Sequence, residues 1–289
     1  MEINQLELLW SDSISQLLNS QIGGEELNVL ANQTNDSVRR IEVYKVYKSR
    51  AYRAVKDKQE FIYTSNPFVL AQREDLSFEE RIWIIYLATY FGKSNKSKWT
   101  LFERAAFDRN QTLISFHSII SDLDKYFKYL ASFDFFDQCQ FSNHRKFTAK
   151  RLHGDNGFFQ SANFFVDNFK MYLPKEKISF DKMYKLSRRI PNFGRLAGFD
   201  FTSSLVKCGF NVEEPKSMYA ENSTGPLQGL KLILSMTNSN TSKESQIGLS
   251  KDLVDWFSKH SEIFMVGQVL EDAICNWQKD TRKYIKYSG

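Results

Sequence analysis

Residues 190–201, IPNFGRLAGFDF, indicate the fold of this chain more clearly than any other segment. A helical pattern over residues 180–189 precedes them, and a second helical pattern runs over residues 195–208. Between the two patterns, Pro191 and Gly194 are residues that end one helix and allow a tight turn into the next. The segment therefore predicts two helices joined by a short hairpin.

The hairpin is also a candidate for phosphate binding. The turn and the start of the second helix expose backbone N–H groups, and the positive end of the helix dipole lies beside them. Arg195 adds a fixed positive charge at the helix start. The alternative is a helical hairpin without a ligand, and the pattern alone is compatible with both interpretations.

The composition favours helices throughout the chain. The 289 residues include 13 Gly and 5 Pro, too few turn formers for a many-stranded sandwich or barrel. Aromatic residues make up 15% of the chain and include 25 Phe, so we expect rings to fill much of the core. We predict an all-helical fold with two lobes around a basic cleft, an N-terminal lobe over residues 1–145 and a hairpin-containing lobe over residues 146–289.

Local patterns place the other helices. Ser77-x-x-Glu80 is a capping box before RIWIIYLATYF, whose apolar density predicts a helix buried nearly all round, and Gly92 follows at the expected end. The pair Gly23-Gly24 is expected to end the first helix. The remaining helices are predicted at residues 3–20, 38–58, 99–107, 111–120, 122–132, 224–235, 249–260 and 263–283, with a polar loop at 238–245.

Charge and cysteine content indicate the surroundings of the protein. Lys and Arg outnumber Asp and Glu by 39 to 34, which allows a polyanionic partner if the excess is clustered. In KSNKSK, residues 93–98, Lys93 and Lys96 either lie in a solvated loop or contact phosphate. The cysteines are widely spaced, and we recognise neither a secretion signal nor an apolar run of about 18 residues. These features predict a protein of the reducing cytoplasm without membrane contact.

The sequence contains no motif for a metal or a nucleotide cofactor. It holds no CxxC and no HExxH, its four His residues are scattered, and it lacks both a Walker A and a G-x-G-x-x-G loop. We therefore expect no cofactor.

Two helices carry polar groups at regular spacing. After the hairpin, four polar residues recur at i, i+3, i+4 and i+7 and share one face: Asp200, Ser203, Ser204 and Lys207. The apolar stripe of the last helix is flanked by Glu271, Cys275 and Gln278 on one side and by Asp272, Asn276 and Lys279 on the other. Such flanks are usually solvated, so spacing alone does not make them a site.

Three segments in order along the chain resemble the successive motifs of a known family. They are the hairpin at 190–201, SMYAENSTGPLQGLKLIL at 217–234 and QVLEDAICNWQK at 268–279. They resemble the α-glutamyl/putrescinyl-thymine pyrophosphorylase family, which is related to the helical domain of 5-hydroxymethyluridine DNA kinases and to helix-hairpin-helix DNA glycosylases. Members include enzymes of phage thymine hypermodification and bacterial anti-phage glycosylases that remove α-glucosyl-hydroxymethylcytosine from phage DNA.

The resemblance implies roles for particular residues. Asn192, Gly194 and Arg195 of the hairpin would bind DNA, with Asn192 standing where these hairpins more often have Gly, and the cations Lys207, Lys93 and Lys96 are further candidates for DNA contact. The residues expected to hold the base are Ser217, Tyr219, Thr224, Gly225, Asn276, Trp277 and Gln278. Five carboxylates compete for the catalytic role: Asp200, Glu213, Glu214, Glu271 and Asp272. Among them Asp200 is the first choice because it follows the hairpin closely.

The implied activity is that of a DNA N-glycosylase with a helix-hairpin-helix, bilobed helical fold. It would flip and excise α-glucosyl-hydroxymethylcytosine, leave abasic sites and block phage replication, with DNA as partner and no protein partner required. Breaking the N-glycosidic bond builds positive charge on the deoxyribose, which a carboxylate stabilises. Two alternatives stay open, a transferase that acts on pyrophosphorylated hydroxymethyl-uracil in DNA and a non-enzymatic DNA-binding module.

Overall fold

The computed structural model of the chain describes residues 2–56, 66–133, 141, 152, 157–174 and 176–286. Over these ranges the fold is all-helical, as predicted, and the only pairing of extended backbone is in isolated bridges. The helices are α1 Ile3–Leu18, α2 Gly24–Lys56, α3 Pro67–Leu70, α4 Phe78–Phe91, α5 Thr100–Ala106, α6 Phe116–Ser121, α7 Leu123–Ala131, α8 Phe158–Asp167, α9 Phe180–Ser187, α10 Arg195–Lys207, α11 Gly225–Met236, α12 Lys243–His260 and α13 Val266–Trp277. None of the helices in these ranges is long and apolar enough to cross a membrane.

Helix α4 confirms the prediction made from its capping box. Ser77 Oγ accepts a hydrogen bond from the Glu80 N–H (3.1 Å), and the Glu80 carboxylate accepts one from the Ser77 N–H (2.9 Å). Residues 82–91 are all buried, and Gly92 ends the helix with a φ of 64°. This helix lies in the middle of a core, as its apolar sequence requires.

Helix α2 is longer than the sequence pattern indicated. We expected Gly23 and Gly24 to end the first helix, but α1 ends earlier, at the left-handed residue Asn19 (φ 47°), and Gly24 starts α2. Glu25 and Glu26 in the first turn favour a helix start here because carboxylates stabilise the positive end of the dipole. Residues 38–56 of the predicted helix 38–58 thus form the second part of one helix of 33 residues, and residues 57 and 58 lie outside the described residues.

Two helix ends in the last part of the chain also differ from the prediction. Ser242 Oγ accepts a hydrogen bond from the Ser245 N–H (3.2 Å), so α12 starts at Lys243 and the polar loop at 238–245 is shorter than expected. Helix α13 ends at Trp277, whereas the pattern extended it to residue 283. The side-chain cap decides the first boundary.

The chain forms two compact units. The first contains residues 1–43 and 214–289, and the second contains residues 44–213. Helix α2 therefore supplies its first residues to one unit and its last residues to the other. The lobe boundary predicted between residues 145 and 146 lies outside the described residues and stays a prediction.

Two buried tryptophans connect helices of the first unit through hydrogen bonds and ring contacts. Trp10 of α1 is fully buried, its Nε1–H donates to Thr34 Oγ1 of α2 (2.9 Å), and its ring centroid lies 4.8 Å from that of Phe257 in α12. Trp277 at the end of α13 is also fully buried and donates through Nε1–H to the Glu26 carbonyl (3.0 Å). Each indole N–H thus has the partner that a buried tryptophan needs.

The core of the second unit is built from rings, as the Phe content predicted. The ring of Tyr86 in α4 stacks on Phe165 of α8 with centroids 4.3 Å apart, and on Phe193 of the hairpin with centroids 5.8 Å apart. The Tyr86 hydroxyl donates to Ser161 Oγ (2.9 Å). The hairpin is therefore anchored in the core through Phe193 while its neighbours remain at the surface.

Candidate active site

The hairpin of the second unit has a well-defined turn. Asn192 has a φ of 70°, in the left-handed region that Asn adopts more readily than most residues other than Gly. Asn192 therefore supplies the conformation for which similar hairpins often use Gly. The Phe193 N–H donates to the Ile190 carbonyl (3.0 Å) and the Gly194 N–H to the Asn192 carbonyl (3.2 Å), and both bonds close the turn.

The start of α10 is open beside this turn. Its first helical hydrogen bond runs from the Gly198 N–H to the Gly194 carbonyl (3.0 Å), so the N–H groups of residues 195–197 point towards the N-terminal end of the helix. Gly194 is exposed, and a Cβ added there would meet nothing within 4 Å. In the middle of α10, Thr202 Oγ1 is hydrogen-bonded to Ser187 Oγ of α9 at 2.9 Å, which links the two helices of the hairpin. The start of α10 is therefore an exposed helix N-terminus next to a turn, a kind of place where proteins bind phosphate.

Asp200 lies in a contact between helices. The sequence placed it on a polar face, but Ser203 and Ser204 of that face are buried, and Asp200 is half-buried. Tyr44 of α2 packs here: burial raises its pKa well above the usual value, with a smaller contribution from the nearby charge of Asp200. Lys207 Nζ lies 4.7 Å from the centre of the Tyr44 ring. The face therefore joins α10 to α2, which the spacing of its residues did not reveal.

The neighbouring acids Glu213 and Glu214 have different surroundings. The Glu213 N–H donates to the Ile178 carbonyl (2.9 Å), and its side chain is half-buried in the second unit. The Glu214 carboxylate accepts a hydrogen bond from the Met265 N–H (2.6 Å), directly before α13 in the first unit. Met265 has a φ of 61°. Glu214 thus caps the start of α13, where a negative charge stabilises the helix.

The loop after Glu214 and the start of α11 both pack on α13. A Cβ added to Gly267 of α13 would lie 2.5 Å from the Ser217 carbonyl and 2.9 Å from the Pro215 carbonyl. A Cβ added to Gly225 would lie 2.5 Å from Cys275 Sγ. The structure therefore brings the Ser-x-Tyr, Thr-Gly-Pro and terminal motifs together on one helix.

Two adjacent acids of α13 belong to this cluster. Glu271 is buried, with 6% of its surface exposed, although Glu is rarely buried so far. The Asp272 side chain is about one third exposed (33%), and its Oδ2 lies 3.7 Å from Arg40 Nη2 of α2. Arg40 in turn donates to Ser37 Oγ (2.8 Å). The site thus combines a buried carboxylate with a partly exposed one beside a cation.

The polar candidates around α13 differ in accessibility. Thr224 is exposed, and Ser217 is half-buried with its Oγ accepting from the Tyr219 N–H (3.2 Å). Tyr219 is buried and has a φ of 51°, which is unusual for a residue with a bulky side chain. Backbone of this kind is found more often at functional sites than elsewhere, because its strain must be supported by the surrounding structure.

The last residues of the terminal motif contribute mainly to the helix and the core. Asn276 Nδ2 donates to the Asp272 carbonyl (2.9 Å) and its Oδ1 accepts from Lys279 Nζ (2.8 Å). Gln278 Nε2 donates to the Cys275 carbonyl (3.3 Å). Trp277 has the core position described above, so its expected contact with a base rests on the motif alone.

The predicted site residues thus fall into two groups. The first unit holds Glu214, Ser217, Tyr219, Thr224, Gly225, Glu271, Asp272, Asn276, Trp277 and Gln278, and the second holds Lys93, Lys96, Asn192, Gly194, Arg195, Asp200, Lys207 and Glu213. Lys93 and Lys96 are exposed in a loop closed by two backbone hydrogen bonds between Ser94 and Lys98 (both 3.0 Å). Across the ranges that the structure describes, no three His, Cys, Asp or Glu residues are grouped so that they could hold a metal ion.

Two residues of this geometry were missed from the sequence, Arg40 and Tyr44. Both lie in the basic, Tyr-containing segment 38–58, but nothing in that segment indicates which side chains meet α10 or α13. Only the fold pairs Arg40 with Asp272 and places Tyr44 beside Lys207.

Fold and site together define an all-helical protein with a helical Pro-Gly hairpin and a cluster of three motifs on one acidic helix. Residues 25–289 match the alpha-glutamyl/putrescinyl thymine pyrophosphorylase clade 3 family, and the chain belongs to this family. The match confirms the resemblance at the level of the family. No curated protein and no solved structure matches the chain significantly.

Proposed function

We propose that this chain is an enzyme that acts on a hypermodified pyrimidine in phage DNA, and that it hydrolyses the N-glycosidic bond of α-glucosyl-hydroxymethylcytosine. The observation that carries the proposal is that the loop after Glu214 and the start of α11 both pack on α13, the helix that carries Glu271 and Asp272. The motifs include backbone in the left-handed region at Tyr219, a buried carboxylate at Glu271 and a carboxylate close to an arginine at Asp272. Backbone strain of the kind seen at Tyr219 is found more often at functional sites than elsewhere.

The reaction needs a carboxylate at the sugar. The bond from C1′ to the base nitrogen breaks with its electron pair going to the base, a water oxygen bonds to C1′, and the water proton passes to a carboxylate and then to solvent or the departing base. Positive charge develops on the deoxyribose, and an aligned carboxylate stabilises it. The product is an abasic site in an otherwise intact strand.

Asp272 is the carboxylate that we favour for this role. It combines partial exposure with an arginine neighbour, so it is accessible to a substrate and held in position. Glu271, one residue earlier, is buried and is therefore less accessible to a substrate. Asp200, the first choice from the sequence, remains a second candidate, and it lies among Tyr44, Ser204 and Lys207 in the other unit.

We propose that the hairpin and the cations of the second unit bind the DNA. Arg195 and Lys207 are the first and last residues of α10. The 13-residue helix separates them by about 18 Å, or roughly five nucleotides of one strand at 3.4 Å each. Phosphate contacts of this kind position a protein on DNA without reading its sequence. We further propose that the protein acts in the cytoplasm, and we name no protein partner.

A transferase is the second candidate, since the description of the family names a pyrophosphorylase of glutamyl- or putrescinyl-thymine. Such an enzyme would replace a pyrophosphate group on the base with an amine. It would leave the N-glycosidic bond intact, so the DNA would carry no abasic sites.

One experiment separates these possibilities. Purified protein is incubated with glucosylated phage DNA and with unmodified DNA, and abasic sites are counted with an aldehyde-reactive probe. We expect abasic sites in the glucosylated DNA alone. If the DNA is bound but stays free of abasic sites, the glycosylase proposal is wrong. Incorporation of an amine into pyrophosphorylated DNA would then identify a transferase. If no amine is incorporated either, the protein is a DNA-binding module.

A further inference from the structure

A second group of cations lies on the last turns of α2. It borders a cavity of about 700 Å³ within the second unit, a size typical of sites for small ligands. The residues around the cavity include Lys45, Lys48, Tyr52, Arg53, Gln72 and Glu74. None of them was assigned a role from the sequence motifs.

The wall formed by α2 combines cations with an aromatic ring. Lys48 and Tyr52 are one helical turn apart and therefore share a face. Tyr52 exposes 63% of its surface, and Lys48 and Arg53 are exposed beside it. Arg53 Nε donates to the Ser49 carbonyl of the preceding turn (3.4 Å). An exposed ring next to two cations offers both a stacking surface and charge for phosphate.

The part of the lining that contains Gln72 and Glu74 is held by hydrogen bonds. Gln72 is buried, and its Nε2 donates to the Phe68 carbonyl (2.9 Å). Arg73 is buried next to it and is hydrogen-bonded through Nε to Asp75 (2.9 Å). Glu74 is exposed and adds a carboxylate to the lining, which repels phosphate but accepts hydrogen bonds from amino groups. The two parts of the lining therefore differ in chemistry: the cations of α2 suit phosphate, and the carboxylate of Glu74 suits a hydrogen-bond donor.

We propose that this cavity binds one unpaired nucleotide of a DNA strand. The base stacks on Tyr52, phosphates on either side contact Lys48 and Arg53, and Glu74 accepts a hydrogen bond from an exocyclic amino group of the base. Stacking on aromatic rings combined with cations along the backbone is the usual way in which proteins hold single-stranded nucleic acid. The inference rests on the proposed function in one respect, that DNA is the substrate.

The test uses the full chain and a labelled, unmodified 15-nucleotide single strand, with binding followed by fluorescence anisotropy at several salt concentrations. Tyr52→Ala is expected to weaken binding about tenfold, while Tyr52→Phe keeps the ring and the affinity. Lys48→Ala combined with Arg53→Ala is expected to weaken binding and to reduce the salt slope by about 1.4. Arg50→Ala is the matched control, because Arg50 is exposed on the same helix but does not line the cavity.

Equal affinity of Tyr52→Ala and the unchanged protein would overturn the proposal, as would an equal loss for Arg50→Ala and the double variant. Because a variant can fail to fold, the unchanged protein is also photo-cross-linked to a strand containing 5-iododeoxyuridine. We expect the adduct on the tryptic peptide 51–53, and an adduct only elsewhere would again overturn the proposal. Since these assays use unmodified DNA and score no catalysis, their failure is distinguishable from a failure of base excision.

Discussion

Replacing Gly267 with Ala tests whether the loop that carries the Ser-x-Tyr motif packs directly on α13. The new Cβ would lie 2.5 Å from the Ser217 carbonyl oxygen and 2.9 Å from the Pro215 carbonyl oxygen. Both atoms belong to backbone, so the clash cannot be relieved by rotating a side chain. Overpacking of this kind costs about 1–3 kcal/mol, which lowers the melting temperature of a chain of this size by roughly 2 to 10 °C.

The control for this prediction is Gly248→Ala in α12. A Cβ at Gly248 would meet nothing within 4 Å, so Ala should stabilise that helix by about 0.5–1 kcal/mol. Helix propensity alone predicts the same gain at Gly267, and packing predicts a loss. Thermal unfolding of both variants, followed by circular dichroism, therefore distinguishes packing from helix propensity by the sign of the change in melting temperature. A Gly267→Ala protein that melts at a higher temperature than the unchanged protein would refute the packing of the motifs.

Two further predictions concern DNA binding and pH. Arg195→Ala should weaken binding to modified and unmodified duplex DNA alike and reduce the salt slope by about 0.9, whereas a loss confined to modified DNA would place Arg195 at the base instead. The Tyr284 hydroxyl donates a hydrogen bond to Asp36 Oδ2 (2.6 Å). Burial together with this bond raises the pKa of Tyr284 from 10.0 to about 12. The contact therefore contributes fully to stability below pH 10, and its contribution disappears as the pH rises towards 12. Tyr284→Phe should therefore flatten the fall in stability over this interval in urea titrations, and an unchanged pH profile would show that the contact contributes nothing.

Local signals in the sequence were sufficient for much of the secondary structure. The capping box Ser77-x-x-Glu80, the end at Gly92 and the hairpin at 190–194 each depend on a few adjacent residues, and the structure has all three. Such elements are predictable because the cap or turn satisfies its own backbone groups.

Tertiary contacts account for what the sequence did not reveal. The spacing of Asp200, Ser203 and Ser204 correctly places them on one face, but it does not show that α2 covers that face. The pairing of Arg40 with Asp272 joins residues that are far apart in the chain. Likewise, the two compact units are assembled from segments that no local pattern links.

We propose that Asp272 on α13 carries base excision. The most direct measurement is the rate of abasic-site formation in glucosylated phage DNA by Asp272→Asn, compared with Asp200→Asn and with the unchanged protein. Asp272→Asn keeps the size of the side chain but removes its charge, so the rate should fall about 100-fold or more while DNA affinity is retained. Excision by Asp272→Asn at the normal rate, with activity lost in Asp200→Asn, would contradict the claim and place the reaction on α10.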